Sequence, residues 1–123
     1  MSTHTAARLL LVENDYLVAE FSKDLLAEMG FNVLCVPSRT AVSVVNDETF
    51  DVALLDIEPK DKLLHSVAAR LQQIGTPIVL LADHPHFIPS ALREHAVLLK
   101  PFHWPELKVA INTLTKDSKR NRY

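Results

Sequence analysis

Asp56 closes the apolar run 51–56, and three comparable runs each end close to a residue that bears on the same chemistry. The run 8–12 opens directly into Glu13, Asn14 and Asp15; the run 96–99 opens into Lys100 and Pro101; the run 77–82 ends on Ala82. Neighbouring acids supply hard oxygen ligands of the kind that hold a divalent cation. A lysine opposite them can pair with a carboxylate or with an anion brought to it. Two acids, an asparagine, a lysine and a central aspartate gathered at one edge would make a site for a divalent cation and a phosphoryl group. That gathering requires the runs to be neighbouring parallel strands, because ligands of an open α/β sheet collect at the carboxyl ends of its strands.

The pattern between the runs supports that requirement. Segments 8–12, 32–36, 51–56, 77–82 and 96–99 are short and continuously apolar, as strands buried on both faces are. Between them the period lengthens. Leu17, Phe21, Leu25 and Met29 recur every fourth residue and mark one face of a first helix, with Gly30 as its stop. A second helix is predicted near residues 38–47, from weaker formers, since Val42, Val44 and Val45 are β-branched. Leu64, Val67, Ala68, Leu71 and Ile74 mark a third, ended by Gly75 before Pro77 opens the next strand. Pro85 and Pro89 confine any fourth helix to about residues 89–94, because proline is tolerated only in a first turn. Leu107, Ile111 and Leu114 mark a fifth, with Pro105 in its first turn. Five β-α units imply one parallel sheet with helices on both faces and right-handed crossovers.

Composition excludes several function classes. A chain of 123 residues is predicted to be one domain, 1–123, with its core over about 8–115 and a solvated basic tail at 116–123. A net charge of -2 offers no footprint for nucleic acid or an anionic membrane. Cys35, the only cysteine, lies in an apolar run and is expected to be a buried thiol in a reducing compartment. The amino terminus lacks the apolar length of a signal peptide, and no run approaches the ~18 apolar residues that span a bilayer. A cytoplasmic protein is the expectation.

Over about residues 8–114 these features resemble the receiver domain of two-component response regulators. That family's pattern is an acidic cluster after the first strand, a phosphate-accepting aspartate after the third, Thr or Ser after the fourth and Lys-Pro, usually cis, after the fifth. Glu13 and Asn14, Asp56, Ala82 and Lys100-Pro101 stand at those places in order, with Val97 at an aromatic switch position. The resemblance implies a flavodoxin-like (βα)5 doubly wound sheet of order 2-1-3-4-5. It further implies Asp56 as phosphoacceptor, Lys100 as the phosphoryl-binding residue, and weakly held Mg²⁺ on Glu13, Asn14, Asp56 and the backbone carbonyl of Glu58.

Three positions depart from the pattern. Asn14 replaces a carboxylate; its amide oxygen remains a hard ligand, but the lost charge is worth up to about 4 kcal/mol at ~4 Å and intermediate dielectric. Asp15 is expected to point elsewhere if the local chain is extended. Ala82 removes a hydroxyl whose hydrogen bond to a charged group is worth about 1.5–3 kcal/mol. Val97 has no ring to rotate. The loop after Asp56 also lacks glycine, and Glu58 in it is positioned to reach over the pocket. Phe87, Ile88 and Trp104 fall on the region receivers use as an output face.

The histidines do not make a metal centre. His84 and His86 flank Pro85 in a loop, with His103 on the same edge, and neither CxxC nor HExxH is present. The function implied is a single-domain receiver taking a phosphoryl group from a phosphohistidine donor. A histidine kinase or phosphotransfer protein would supply the phosphate, and a downstream protein partner would read it. With the chain ending after the last helix, no DNA-binding or enzymatic output is expected, and the chemistry stops at self-catalysed phosphotransfer and dephosphorylation. The alternative is a pseudo-receiver acting as a phosphorylation-independent interaction module, which Asn14, Ala82 and Val97 favour. A haloacid dehalogenase-type hydrolase would need Asp-x-Asp where this chain has Asp56 and Glu58, and a cap domain for which there is no room.

Overall fold

Five short strands that are apolar on both faces can be solvated on neither, and they stack into one parallel sheet. The computed structural model describes residues 6–120, with side chains to residue 115. In chain order the elements are β1 (Arg8–Val12), α1 (Tyr16–Glu28), β2 (Asn32–Val36), α2 (Ser38–Asp47), β3 (Val52–Asp56), α3 (Leu63–Gln73), β4 (Ile78–Ala82), β5 (Ala96–Leu99) and α4 (Trp104–Arg120). The sheet runs β2-β1-β3-β4-β5 with every pair parallel. This is the flavodoxin-like order. Register brings the strand ends level: Val12 lies beside Leu55, Asp56 beside Leu81 and Ala82 beside Leu99. Glu13, Asp56 and Lys100 therefore emerge along one edge.

Alternation along the strands divides the core. Leu10, Val12, Ala53, Leu55, Leu80 and Ala82 face α2 and α3, where Leu64, Val67 and Leu71 complete a packed layer. Leu9, Leu11, Val52, Leu54, Val79 and Leu81 face α1 and α4, joined there by Leu26, Leu107 and Ile111. Each fully buried leucine contributes about 1.5–3 kcal/mol of burial free energy, which fixes the register firmly. Gly30 and Gly75 end α1 and α3 at φ values of 100° and 79°, the left-handed turn that glycine takes without a Cβ penalty. Lys100-Pro101 is cis.

The fourth helix is absent. In its place stand two single 3₁₀ turns, Pro85–Phe87 and Ser90–Leu92, so the described residues hold four α-helices rather than five. Pro85 and Pro89 each remove a backbone donor and disfavour helix in the residue before them, so neither turn propagates. His84 caps the first turn by accepting the His86 N–H on Nδ1 at 3.1 Å. These turns leave one face of β5 uncovered, and Val97 and Leu99 are 38% and 41% exposed.

The α1 stripe also differs from its expected burial. Leu17 and Phe21 are exposed, whereas Ala19, Ser22 and Leu26 form the buried face. Each four-residue step turns a helix about 40° beyond a full turn. The stripe consequently winds from solvent at Leu17 and Phe21 to partial burial at Leu25 and Met29. At the other end of the chain, α4 continues to Arg120, through most of the segment expected to be a solvated tail; residues 121–123 lie outside the described residues.

Candidate functional site

Asp56 is the last residue of β3, flanked by β1 and β4, and is only 6% exposed. Lys100 leaves β5 immediately after its last residue, held beside β4 by a bond from its backbone N–H to the Ala82 carbonyl at 2.8 Å. From there Nζ donates to Asp56 Oδ2 at 2.6 Å. Burial alone lowers the Lys100 pKa. The hydrogen bond and charge of Asp56, with the charges of Asp83 and Glu13, outweigh that effect and hold it above its ordinary value. Lys100 is thus a firm cation at any physiological pH.

Glu13 follows β1, with its backbone N–H on the Val36 carbonyl at 3.1 Å, and is 8% exposed. Its Oε2 accepts the Asp15 N–H at 3.2 Å, and its carboxyl lies within hydrogen-bonding reach of Asp56. Desolvation, then the hydrogen bond and charge of Asp56, push its pKa up to about 7, against opposing pulls from the Asp15 N–H and Lys100. Two buried acids stand beside one lysine, which bonds Asp56. Such a pair lacks a positive charge, and its oxygens are the hard donors that Mg²⁺ takes.

The rest of the expected ligand set is engaged elsewhere. Asn14 Oδ1 accepts the Ser38 N–H at 2.8 Å, and its Nδ2 donates to Asp61 Oδ2 at 3.0 Å. Ser38 Oγ also donates to Asp61 Oδ2. Asn14 therefore ties the loop after β1 to the start of α2 and to the loop after β3; its side chain works as a strut. Asp15 does not stand in for it, because its Oδ1 caps α1 through the N–H groups of Leu17 and Val18 at 3.0 and 3.2 Å. The Glu58 carbonyl accepts the Asp61 N–H at 3.1 Å, while Glu58 itself is exposed. Among the described residues no cluster of three or more His, Cys, Asp or Glu is placed to hold a metal. The fit to Mg²⁺ thus rests on Glu13 and Asp56.

Ala82 is fully buried at the end of β4, and Val97 sits half-exposed on the uncovered face of β5. Phe87, Ile88 and Trp104 do not form one face. Phe87 is 38% exposed, but Ile88 is buried in the layer facing α2 and α3. Trp104 packs across the sheet on the α1 and α4 side, edge-on to Phe102 with ring centroids 5.5 Å apart. The His84 and His86 rings stack at 4.6 Å, and the exposed His103 donates its backbone N–H to Glu106 at 3.3 Å. Cys35 is half-buried, and burial together with the Glu13 and Glu20 charges raises its pKa to about 11. Ser38, Asp61 and Asp83 were not singled out from the sequence. Their types are ordinary for loops and caps, and only the folded arrangement brings them beside Asn14 and Lys100.

The sheet order and the edge that carries Glu13, Asp56 and Lys100 resemble those of response-regulator receiver domains. Among curated relatives, the chain is 28% identical over 116 residues to the transcriptional regulatory protein CpxR of Escherichia coli K12, covering 90% of this chain and 50% of the relative. The chain thus spans about half the length of the curated relatives it matches. Among solved structures it superimposes on the receiver domain of Francisella response regulator 1452 with a TM-score of 0.75 at 25% identity, covering 91% of this chain and 98% of that one. The receiver domain of the Pseudomonas aeruginosa sensor histidine kinase PA1611, solved with magnesium in its active-site cleft, gives a TM-score of 0.75 at 20% identity, covering 91% and 99%. No family model matches the chain. Among the described residues no helix is long and apolar enough to cross a membrane.

Proposed function

We propose that this chain is a phosphoacceptor of two-component signalling, taking a phosphoryl group on Asp56 from a phosphohistidine-bearing kinase or phosphotransfer protein. The observation that carries this reading is the buried Asp56 carboxylate, oriented by Lys100 at 2.6 Å, beside an acid that lacks a cation. An Asp56 oxygen forms the new bond to phosphorus while the phosphorus–imidazole bond breaks, leaving its electron pair on the ring nitrogen. Lys100, already fixed at Asp56, offsets the negative charge gathered on the phosphoryl oxygens. Glu13 and Asp56 would hold Mg²⁺, which supplies further charge neutralisation. The chain is a signalling domain whose chemistry is confined to gaining and losing that group. Tyr16, Leu17 and Phe21, 74%, 77% and 63% exposed on α1 just beyond Glu13, offer an apolar shoulder on which a protein donor can seat.

Incubation with Mg²⁺ and acetyl phosphate will add the mass of one phosphoryl group, and Asp56→Asn will abolish the gain. An unchanged mass for the wild-type chain would overturn the proposal in favour of a phosphorylation-independent interaction module.

Asn14→Asp tests the cation site separately. The substitution sets a carboxylate against Asp61, where Asn14 Nδ2 now donates, so the metal-free protein will lose about 1 kcal/mol of stability in urea denaturation. Released from that bond, the new carboxylate will tighten Mg²⁺ about ten-fold by titration. Unaltered affinity would show that the ligands are wrongly assigned.

A further inference from the structure

The α1 and α4 side of the sheet is not closed. A cleft of about 390 Å³ lies there, walled by Val18 and Phe21 from α1, floored by Leu81, and bounded by Phe102 and Trp104 at the start of α4. That volume falls within the range of small-molecule sites, which are mostly apolar with a few convergent polar groups. Glu13, Asp56 and Lys100 are the charged residues lining it. Among the described residues, donors reach one oxygen of each acid: the Asp15 N–H on Glu13 Oε2 and Lys100 Nζ on Asp56 Oδ2. Lys100 is committed to Asp56, which leaves Glu13 facing the cleft without a cation of its own.

Those features select a ligand by charge as well as shape. An anionic head meets two carboxylates and a lysine already paired. A neutral head leaves the Glu13 carboxyl with the Asp15 N–H as its one donor and brings it no cation. A single ammonium supplies what is missing, and the apolar walls take a compact hydrophobic body. We propose that the cleft between α1 and α4 is a binding site for a small hydrophobic amine, its aromatic or branched body against Val18, Phe21 and Trp104 and its ammonium donated to Glu13. The site requires no phosphoryl chemistry and stands or falls independently of it. Because the ammonium occupies Glu13, one of the two acids that would hold Mg²⁺, amine and Mg²⁺ exclude one another.

Amide spectra of the full chain in metal-free buffer, titrated with phenethylamine, phenethyl alcohol and phenylpropionate, test the site. Phenethylamine will bind about ten-fold more tightly than the alcohol, with phenylpropionate weakest, and Mg²⁺ will displace it. Glu13→Gln will bring amine and alcohol to equal affinity. Val18→Trp, at a residue 44% exposed, will fill the cleft and remove binding of both while the remaining amide positions stay in place. If that variant does not fold, Phe21→Ala, at 63% exposure, will weaken both several-fold and serve the same purpose. Absence of binding, equal affinity of amine and alcohol for the wild type, tighter binding of the carboxylate, or indifference to the cleft variants would each overturn the proposal.

Discussion

Replacing Lys100 with methionine will cost about 2 kcal/mol of stability at pH 8 and almost none at pH 5. Breaking a fully buried ion pair by removing one partner costs about 3–5 kcal/mol, and the Lys100 side chain is 31% exposed, so the smaller figure applies. The pH dependence follows from Glu13. Its folded pKa of about 7 lies above its unfolded value of 4.5, so its ionisation opposes folding. That penalty is nil below 4.5, grows as pH rises, and levels off above about 7 in the wild type. Without Lys100, Glu13 keeps its proton to still higher pH and the penalty continues to grow. Near pH 5 Glu13 holds its proton with or without Lys100 and adds no charge to the edge, and the methionine stem retains the packing of the lysine stem. Urea denaturation at the two pH values measures the difference. An equal loss at both would mean that Lys100 stabilises by packing rather than by charge, and the electrostatic account of the edge would fail.

The elements that the sequence made plain are those in which one physical cause dominates. All five strands were legible because continuous apolar runs set between helical periods mark strands buried on both faces; their order came from the resemblance to receivers. The partnership of Asp56 with Lys100 followed because both stand at the carboxyl edge of one parallel sheet, and the lysine side chain is long enough to reach across the end of β4. Asn14 was harder. Its type says only that it has an oxygen and an amide; that Ser38 and Asp61 claim them depends on how three loops pack. The fourth helix lay on a boundary: two prolines limited it to a few residues, and nucleating a helix that short costs more than its one or two hydrogen bonds return. The α1 stripe misled for a geometric reason, because a strict four-residue repeat drifts around the helix and cannot stay buried along its length. Phe87, Ile88 and Trp104 were grouped through the resemblance to receivers, yet the sheet stands between Ile88 and Trp104.

Beryllofluoride bound with Mg²⁺ at Asp56 will shift amides in the loops after β1, β3 and β4 and leave α4 and the exposed face of β5 nearly unmoved. In the receivers this chain resembles, the phosphoryl group draws a Thr or Ser hydroxyl inward and an aromatic side chain turns into the vacated space. Ala82 offers no hydroxyl, and the missing hydrogen bond to a charged group is worth about 1.5–3 kcal/mol. At 1.4 kcal/mol per factor of ten, that loss alone reduces the population shift about ten- to hundred-fold. A ligand moves an equilibrium only by its differential affinity for the two states. Val97 is too small to fill or vacate a pocket by rotating, and it already faces solvent. The helix that would carry the movement outward is replaced by two proline-bounded turns. Large shifts along Ala96–Leu99 and α4 would show that another route couples Asp56 to that surface. Shifts confined to the three loops would mark a domain that holds or drains phosphate, with any partner reading the site itself rather than a remote face.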